Sequence, residues 1–287
     1  MRSLPIPTDE NGVPYIVGDV FDLCISNISD SGLKQRLTAI RANIVTAAAS
    51  YNVAGNRANL YLTPTSDNVG IVTGKELKAV YTDRFSKSKH PARKIYDKIL
   101  AAPKLGRCPL CDVGNARTLD HYLPKSEYTV LSVVPNNLVP SCRDCQTEKM
   151  SDVADSQETQ TLHPYYDSFV ESENWLRARV IQTSPPSFVY YVDPPASWSQ
   201  LNIQRLEAHM DAFKLNSLYA NNAANELSGI RIALKHLYDR GGLQAVSEHL
   251  TEEALSREQA FTNSWTGAMY RSASESAWFC DGNFYLV

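Results

Sequence analysis

The sequence predicts an α+β fold that is mostly helical, with a small cysteine-bracketed β segment between two helical regions. Apolar residues recur at spacings of three or four in the first and last thirds of the chain. Between them lie two CxxC pairs, and a Ser-Pro-Pro-Ser turn then separates two β-branched or aromatic runs. The predicted organisation is an N-terminal helical region over 1–103, a core over 104–170, and a β-hairpin followed by a C-terminal helical region over 171–287.

The N-terminal region is predicted in four parts. Residues 1–28 mix Pro, Gly and short apolar runs, which indicates loop with one strand or short helix. After Asp30, the apolar residues from Leu33 to Ala47 follow helical spacing, with Asp30 or a neighbouring serine as the N-cap. Residues 52–74 are rich in turn formers and predict a loop or hairpin. Two further helices are predicted over 75–85 and 91–102.

The C-terminal region is predicted to be helical from Trp198 to about Ala277. Leucine, isoleucine, methionine and phenylalanine recur at helical spacing among polar residues there. Gly241 and Gly242 are adjacent, and two glycines together favour a break in the helix.

The bulk composition excludes a membrane protein and favours a globular one. Of the 287 residues, 43% are hydrophobic and 21% charged, and no apolar run approaches the ~20 residues that a membrane helix needs. The first residues, MRSLPIPTDENG, are too polar and too rich in proline for a secretory signal. We therefore expect a cytoplasmic protein.

Charge is distributed unevenly along the chain. The net charge is −3, yet Lys75 to Lys149 holds 14 Lys and Arg against 8 Asp and Glu, which leaves the remainder acidic. A basic middle between acidic flanks favours a centre that binds a polyanion, with a solvated helical face as the alternative.

Two cysteine pairs predict a structural zinc site. Cys108 and Cys111 form one CxxC, and Cys142 and Cys145 form the second, thirty residues further on. Four thiolates complete a zinc tetrahedron, so such an ion would be structural, not catalytic. A single CxxC would leave redox chemistry open, but two pairs favour zinc.

The two remaining cysteines, Cys24 and Cys280, are predicted to be small buried thiols. In a cytoplasmic chain neither is expected to form a disulfide.

Between the pairs, Asp120 and His121 are adjacent and Asn137 stands five residues before Cys142. A carboxylate suits a hard divalent ion, and a neutral imidazole can accept a proton from water. Adjacent strand residues point to opposite faces, so both can face one ion only where the strand ends or bulges. Pro124 favours such an ending.

These residues resemble the HNH endonucleases, which fold a β-hairpin and a helix into the ββα-metal motif. The matching pieces are CPLC, LDHYLPKS and NNLVPSCRDCQTEK, which lie within a span of about 45 residues. The resemblance implies that His121 is the general base, that Asp120 binds a catalytic Mg²⁺ or Mn²⁺, and that Asn137 orients the His121 ring or its loop. It also implies hydrolysis of nucleic-acid phosphodiester bonds, with DNA favoured over RNA as the substrate.

The sequence departs from the family pattern at Gln146, where His or Asn is common as the second ligand of the catalytic ion. Either Gln146 is a ligand through its amide oxygen, or another residue replaces it, or the site is weakened. His163 in LHPYYD is the best replacement, with helix capping by His163 and Asp167 as the alternative. Lys125 and Lys149 are candidate phosphate contacts, and for each the equally favoured alternative is an exposed, solvated lysine.

The segments DHYLPKS, HPYYD and LNSLYANNAANELSGIR are also similar to nuclease subunits of Septu-like and retron-associated antiphage systems, which work beside an ATPase. That likeness implies a defence role with a partner ATPase. Two alternatives remain: a zinc-clamped nucleic-acid or protein adaptor whose activity was lost through Gln146, and a zinc-ribbon transcription factor. The latter needs neither Asp120 nor His121.

Overall fold

A computed structural model describes residues 1–149 and 153–285. The fold is mostly helical with small antiparallel sheets, as the sequence predicts, and the chain divides into two compact units, 1–168 and 169–287. None of the described helices is both long and apolar enough to span a bilayer. The helices are α1 Val17–Ile25, α2 Ser31–Ala39, α3 Arg41–Asn56, α4 Gly74–Val80, α5 Arg93–Leu100, α6 Arg143–Lys149, α7 Gln200–Ala212, α8 Leu215–Ala260, α9 Trp265–Glu275 and α10 Ala277–Cys280; the strands are β1 Asn68–Val69, β2 Val72–Thr73, β3 Thr118–His121, β4 Leu138–Ser141, β5 Leu176–Ile181 and β6 Ser187–Val192.

The first unit begins with three helices. The Asp30 side chain accepts a hydrogen bond from the Leu33 N–H and caps α2, which confirms the predicted N-cap. The sequence predicts one helix onward from here, but the backbone leaves helical geometry at Ile40 (φ −93°, ψ 3°), so α2 and α3 are separate. The Ile40 side chain is nevertheless buried at this bend.

Both helices predicted before the cysteines are present as α4 and α5. A reciprocal capping box between Thr73 and Glu76 begins α4. The helix does not stop at Val80 but continues as a five-residue π-helical turn, Tyr81–Phe85. In that turn the Ser86 N–H donates to the Tyr81 carbonyl oxygen over 3.0 Å, five residues back.

The middle of the first unit is a two-stranded antiparallel sheet followed by a helix. In the β3–β4 register, Asp120 lies opposite Val139 and His121 lies opposite Leu138. Short 3-10 turns fill the connection between the strands, and α6 begins directly after Cys142. The order is therefore strand, strand, helix, with Asp120 and His121 at the end of the first strand.

The second unit consists of the predicted β-hairpin and the helical tail. Strands β5 and β6 pair from Leu176↔Val192 to Ile181↔Ser187. Helix α8 spans 46 residues but is interrupted at Gly242, whose φ of 63° is open to glycine and strained for other residues. The break predicted at this glycine pair is confirmed.

Candidate metal centre and active site

The four cysteine thiols lie together in the first unit. All four Sγ atoms are within 4.8 Å of one another, and each cysteine is buried. The Cys111 and Cys142 sulfurs are 3.8 Å apart, which matches the roughly 3.8 Å edge of a tetrahedron with metal–sulfur bonds of about 2.3 Å. This cluster can hold a metal ion such as zinc.

A tight turn brings the first two thiols together. The Cys108 N–H donates to the Gly114 carbonyl oxygen (2.7 Å), and the Asp112 N–H donates to the Cys108 carbonyl oxygen (2.8 Å). Asp112 adopts a φ of 58°, which turns the chain back on itself. Its carboxylate is fixed by an ion pair with Arg2 at 2.7 Å.

Backbone N–H groups point at the sulfurs. The Val113 N–H lies 3.5 Å from the Cys111 Sγ, and the Cys145 N–H lies 3.5 Å from the Cys142 Sγ. Such donors stabilise a thiolate, the form in which cysteine binds metal. Hydrogen bonding from Cys111 also lowers the pKa of Cys108, whereas hydrogen bonding within the cluster raises the pKa of Cys145.

Asp120 is partly buried at the end of β3. Burial raises the pKa of its carboxyl group. Two features of α6 act in the opposite direction, since the Lys149 ammonium and the Gln146 side chain, a hydrogen-bonding neighbour, both lower that pKa. Gln146 in the helix is therefore near enough to Asp120 in the sheet to influence its ionisation.

His121 is buried, with 6% of its surface exposed. Its Nε2 lies 2.9 Å from the Ser132 carbonyl oxygen. Because a carbonyl can only accept, Nε2 carries the hydrogen and Nδ1 is the basic nitrogen of the neutral ring. Burial lowers the pKa of His121 to about 3, so the ring is neutral at physiological pH.

Along β3, Leu119 and His121 are buried whereas Thr118 and Asp120 are partly buried, which is the alternation expected of a strand. Lys125 and Lys149 both influence the pKa of each residue, so the two side chains share charged neighbours. The strand ends at His121, as the nearby proline favours.

Asn137 is fully buried and holds the turn that follows His121. Its side-chain oxygen accepts from the Leu123 N–H at 2.8 Å. Its amide nitrogen donates to the carbonyl oxygens of Leu123 at 3.0 Å and Leu131 at 3.4 Å. These three bonds fix the backbone on both sides of the loop that contains Lys125.

The two predicted phosphate-binding lysines have different surroundings. Lys149 is buried, and its ammonium donates to the carbonyl oxygens of His121 and Tyr122. Lys125 is partly buried and its Nζ lies 4.6 Å from the centre of the Tyr81 ring. Lys149 thus stabilises the end of β3 from inside the unit. Burial lowers the pKa of Lys125, and the negative charge of Asp120 partly offsets that effect.

His163 lies among tyrosines. Its Nε2 is 2.9 Å from the Tyr51 hydroxyl, and its Nδ1 accepts from the Tyr165 N–H at 3.1 Å. The Tyr122 ring is 4.3 Å away, centre to centre. With both ring nitrogens hydrogen-bonded to protein, His163 has no ring lone pair available unless these contacts change. The backbone N–H of His163 donates to the Asp167 carboxylate at 2.7 Å, a contact within the turn that precedes the helical segment Ser168–Glu171.

The remaining thiols, Cys24 and Cys280, are buried as predicted. Burial raises the pKa of Cys24 to about 12 and that of Cys280 to about 11. Both are inert small side chains at neutral pH.

Comparison with curated proteins finds a similar protein from a bacteriophage. No protein-family model matches this chain. No solved structure matches it either. Among curated proteins, the chain is similar to Protein ea31 of Escherichia phage lambda, with 26% identity over 302 residues that cover 98% of this chain and 100% of the phage protein. The similarity extends over the whole length of both proteins.

Two residues of the centre are not identified by the sequence motifs. Gly114 lies against Cys142, where an added Cβ would be 2.7 Å from the cysteine Cβ. Tyr81 contacts His121 with ring centres 4.5 Å apart. In the sequence, Gly114 reads as an ordinary turn glycine and Tyr81 as a core aromatic of a helix, and nothing in either local pattern distinguishes them.

Proposed function

We propose that this protein is a metal-dependent HNH-type endonuclease that hydrolyses phosphodiester bonds, with DNA favoured over RNA as the substrate. The observation that supports it most is the placement of Asp120 and Gln146. Asp120 is the third residue of strand β3, Gln146 lies in the following helix α6, and the Gln146 side chain lowers the pKa of Asp120. A strand, strand and helix converging on a carboxylate and a neutral imidazole is the arrangement that the ββα-metal resemblance implies.

His121 would act as the general base. The Ser132 carbonyl holds Nε2–H, so Nδ1 is left to accept a proton from the attacking water. Burial keeps the ring neutral, which leaves the Nδ1 lone pair free but makes it a weak base. The negative charge of a bound phosphate would raise its basicity.

Asp120 would hold the catalytic Mg²⁺ or Mn²⁺, with the Gln146 amide oxygen as the second protein ligand. Both offer hard oxygen donors, which these ions prefer. When bound, the ion would supply electrostatic stabilisation of the charge that develops at the phosphate. Lys125, beside Asp120, would contribute a fixed positive charge to the same phosphate.

The four cysteines would hold a structural zinc ion. Zinc with four thiolates has no open position, so it would not take part in the hydrolysis. Its effect would be to tie the turn before β3 to the first turn of α6, and thereby to keep Gln146 beside Asp120.

The test is cleavage of supercoiled plasmid by the full chain with Mg²⁺ or Mn²⁺, with RNA as a second substrate. His121→Ala is expected to lower the rate by roughly 10²–10⁴-fold. The matched control is His236→Ala, which removes an exposed histidine of α8 and should leave the rate unchanged. Equal cleavage by wild type and His121→Ala would exclude His121 as the base.

The competing proposal is the zinc-clamped adaptor. The presence of Gln146 where the family commonly has a stronger ligand favours it. Binding of nucleic acid by wild type and His121→Ala alike, with cleavage by neither under any metal condition, would support the adaptor.

We extend the nuclease proposal to antiphage defence beside a partner ATPase. Its support is the sequence likeness of DHYLPKS, HPYYD and LNSLYANNAANELSGIR to defence nuclease subunits. The test is the plating efficiency of phages on bacteria that express the chain with and without a Septu-type ATPase. Protection that requires both proteins and is lost in His121→Ala is expected; unaltered plating would contradict the defence role.

A further inference from the structure

A tyrosine outside the β3–β4–α6 segment lies against two of the proposed functional side chains. The Tyr81 ring is T-shaped to the His121 imidazole, with centres 4.5 Å apart. The Lys125 Nζ lies over the same ring, 4.6 Å from its centre. Both distances are within the range in which aromatic and cation–π contacts stabilise a geometry.

The position of Tyr81 is itself fixed from two directions. Its hydroxyl donates to the Leu119 carbonyl oxygen over 3.1 Å, which ties it to β3 two residues before His121. Its ring stacks on Phe85, with centres 5.9 Å apart and planes 24° from parallel. Only 6% of Tyr81 is exposed.

The π-helical turn begins at Tyr81. Its 3.0 Å hydrogen bond from the Ser86 N–H to the Tyr81 carbonyl spans five residues in place of four. Single π-turns are rare in helices and are frequently found at functional sites. Here the turn coincides with the residue that contacts His121 and Lys125.

We infer that Tyr81 is a positioning residue of the proposed active site, whose ring sets the orientation of the His121 imidazole and holds the Lys125 ammonium near Asp120. This rests on the proposed nuclease function. Tyr81 would act on the reaction through these two side chains and would not itself touch the reacting atoms.

A neighbouring tyrosine provides a matched control. The Tyr96 hydroxyl, on α5, accepts a hydrogen bond from the Leu119 N–H at 3.2 Å. Leu119 is also the residue whose carbonyl oxygen accepts from Tyr81. Its ring contacts Phe85 and Arg93. Loss of the Tyr96 ring should therefore cost packing and stability of a similar kind at this edge of β3, without removing the ring beside His121 and Lys125.

The first arm of the experiment is kinetic, on the full chain. Tyr81→Leu should lower kcat on the order of tenfold or more with a small change in KM, since it misplaces groups that are still present. Tyr81→Phe retains the ring and should stay within about threefold of wild type, as should Tyr96→Leu measured per folded molecule. Equal kcat for Tyr81→Leu and Tyr96→Leu would overturn the inference.

The second arm needs no activity. In protein labelled with ¹³C-lysine, the ε-methylene protons of Lys125 should resonate upfield because the amine lies over the ring. That shift should disappear in Tyr81→Leu and persist in Tyr81→Phe and Tyr96→Leu. An unchanged Lys125 signal in Tyr81→Leu would overturn the inference. If wild type cleaves nothing, the proposed function fails, while this arm still decides whether the Lys125 amine lies over the Tyr81 ring in solution.

Discussion

Gly114 lies so close to Cys142 that a side chain larger than that of glycine does not fit at position 114. A Cβ added to Gly114 would lie 2.7 Å from the Cys142 Cβ and 2.9 Å from its Sγ. Gly114 belongs to the turn that follows the first cysteine pair, and Cys142 begins the second pair. The contact is therefore the point at which the two halves of the metal cluster meet.

Gly114→Ala is expected to displace Cys142 and weaken metal binding, because neither the turn nor the cysteine can move without altering the tetrahedron. Competition with a chelator would measure the loss. Gly229→Ala is the control: it lies in α8 with open space around it, and should raise helix stability by about 0.5–1 kcal/mol. Wild-type metal affinity in Gly114→Ala would contradict the tight fit.

Cys108→Ser and Cys142→Ser should each remove the bound zinc and unfold the surrounding turn. Structural zinc contributes on the order of 10 kcal/mol where it organises a small motif. Metal content by mass spectrometry and thermal denaturation would report both effects. Cys24→Ala removes a buried thiol outside the cluster and should lower stability without changing metal content. Full zinc stoichiometry in either serine variant would argue against a four-cysteine site.

Gln146→Ala should weaken binding of Mn²⁺ to the Asp120 site, because it removes an oxygen donor of the kind that this ion prefers. Gln146→His restores a residue that the HNH family commonly has at this position and should retain the binding. His163→Ala should lower stability instead, because both ring nitrogens and the packing against Tyr122 are lost. Calorimetric titration with Mn²⁺ and thermal denaturation separate the two. A His163→Ala protein that is stable but no longer binds Mn²⁺ would identify His163 as the ligand.

Asn137→Ala should destabilise the loop after His121. It leaves the buried N–H and C=O of Leu123 without their partner, at a cost of about 1–3 kcal/mol for each group. Asn136→Ala, whose amide bonds Asn52 and Tyr166 on a partly exposed side chain, should cost less. Urea denaturation would compare them, and an Asn137→Ala protein as stable as wild type would contradict the assigned role.

Lys149→Met should affect the stability of the protein, whereas Lys125→Gln should affect its binding of nucleic acid. Loss of the Lys149 ammonium removes hydrogen bonds to the His121 and Tyr122 carbonyls and should lower stability. Lys125→Gln should weaken nucleic-acid binding and reduce the slope of log K against log salt by about 1. Fluorescence anisotropy at several salt concentrations measures that slope. An unchanged slope in Lys125→Gln would remove Lys125 from the phosphate contacts.

Local sequence pattern was sufficient for most of the secondary structure. The Asp30 cap, the β5–β6 hairpin and the break at Gly242 follow from residue type and spacing, because each depends on a few neighbouring residues. The bend at Ile40 and the π-turn at Tyr81 do not, since both depend on where a side chain is buried in the folded unit.

The candidate site also has a part that the sequence predicts and a part that depends on the fold. The two CxxC pairs predict the cysteine cluster from the sequence, because the ligands are few and regularly spaced. The partners of Lys149, His163 and Tyr81 come from segments that are distant in sequence, and only folding brings them together. Lysine and histidine at these positions have the right chemistry for the site, but their surroundings decide how each side chain is used.

The most direct test of the central claim is anomalous diffraction from crystals grown with Mn²⁺. We expect one zinc peak among the four cysteine sulfurs and one manganese peak bound by Asp120 and Gln146. Zinc elsewhere, or manganese absent from Asp120 at saturating concentration, would contradict it.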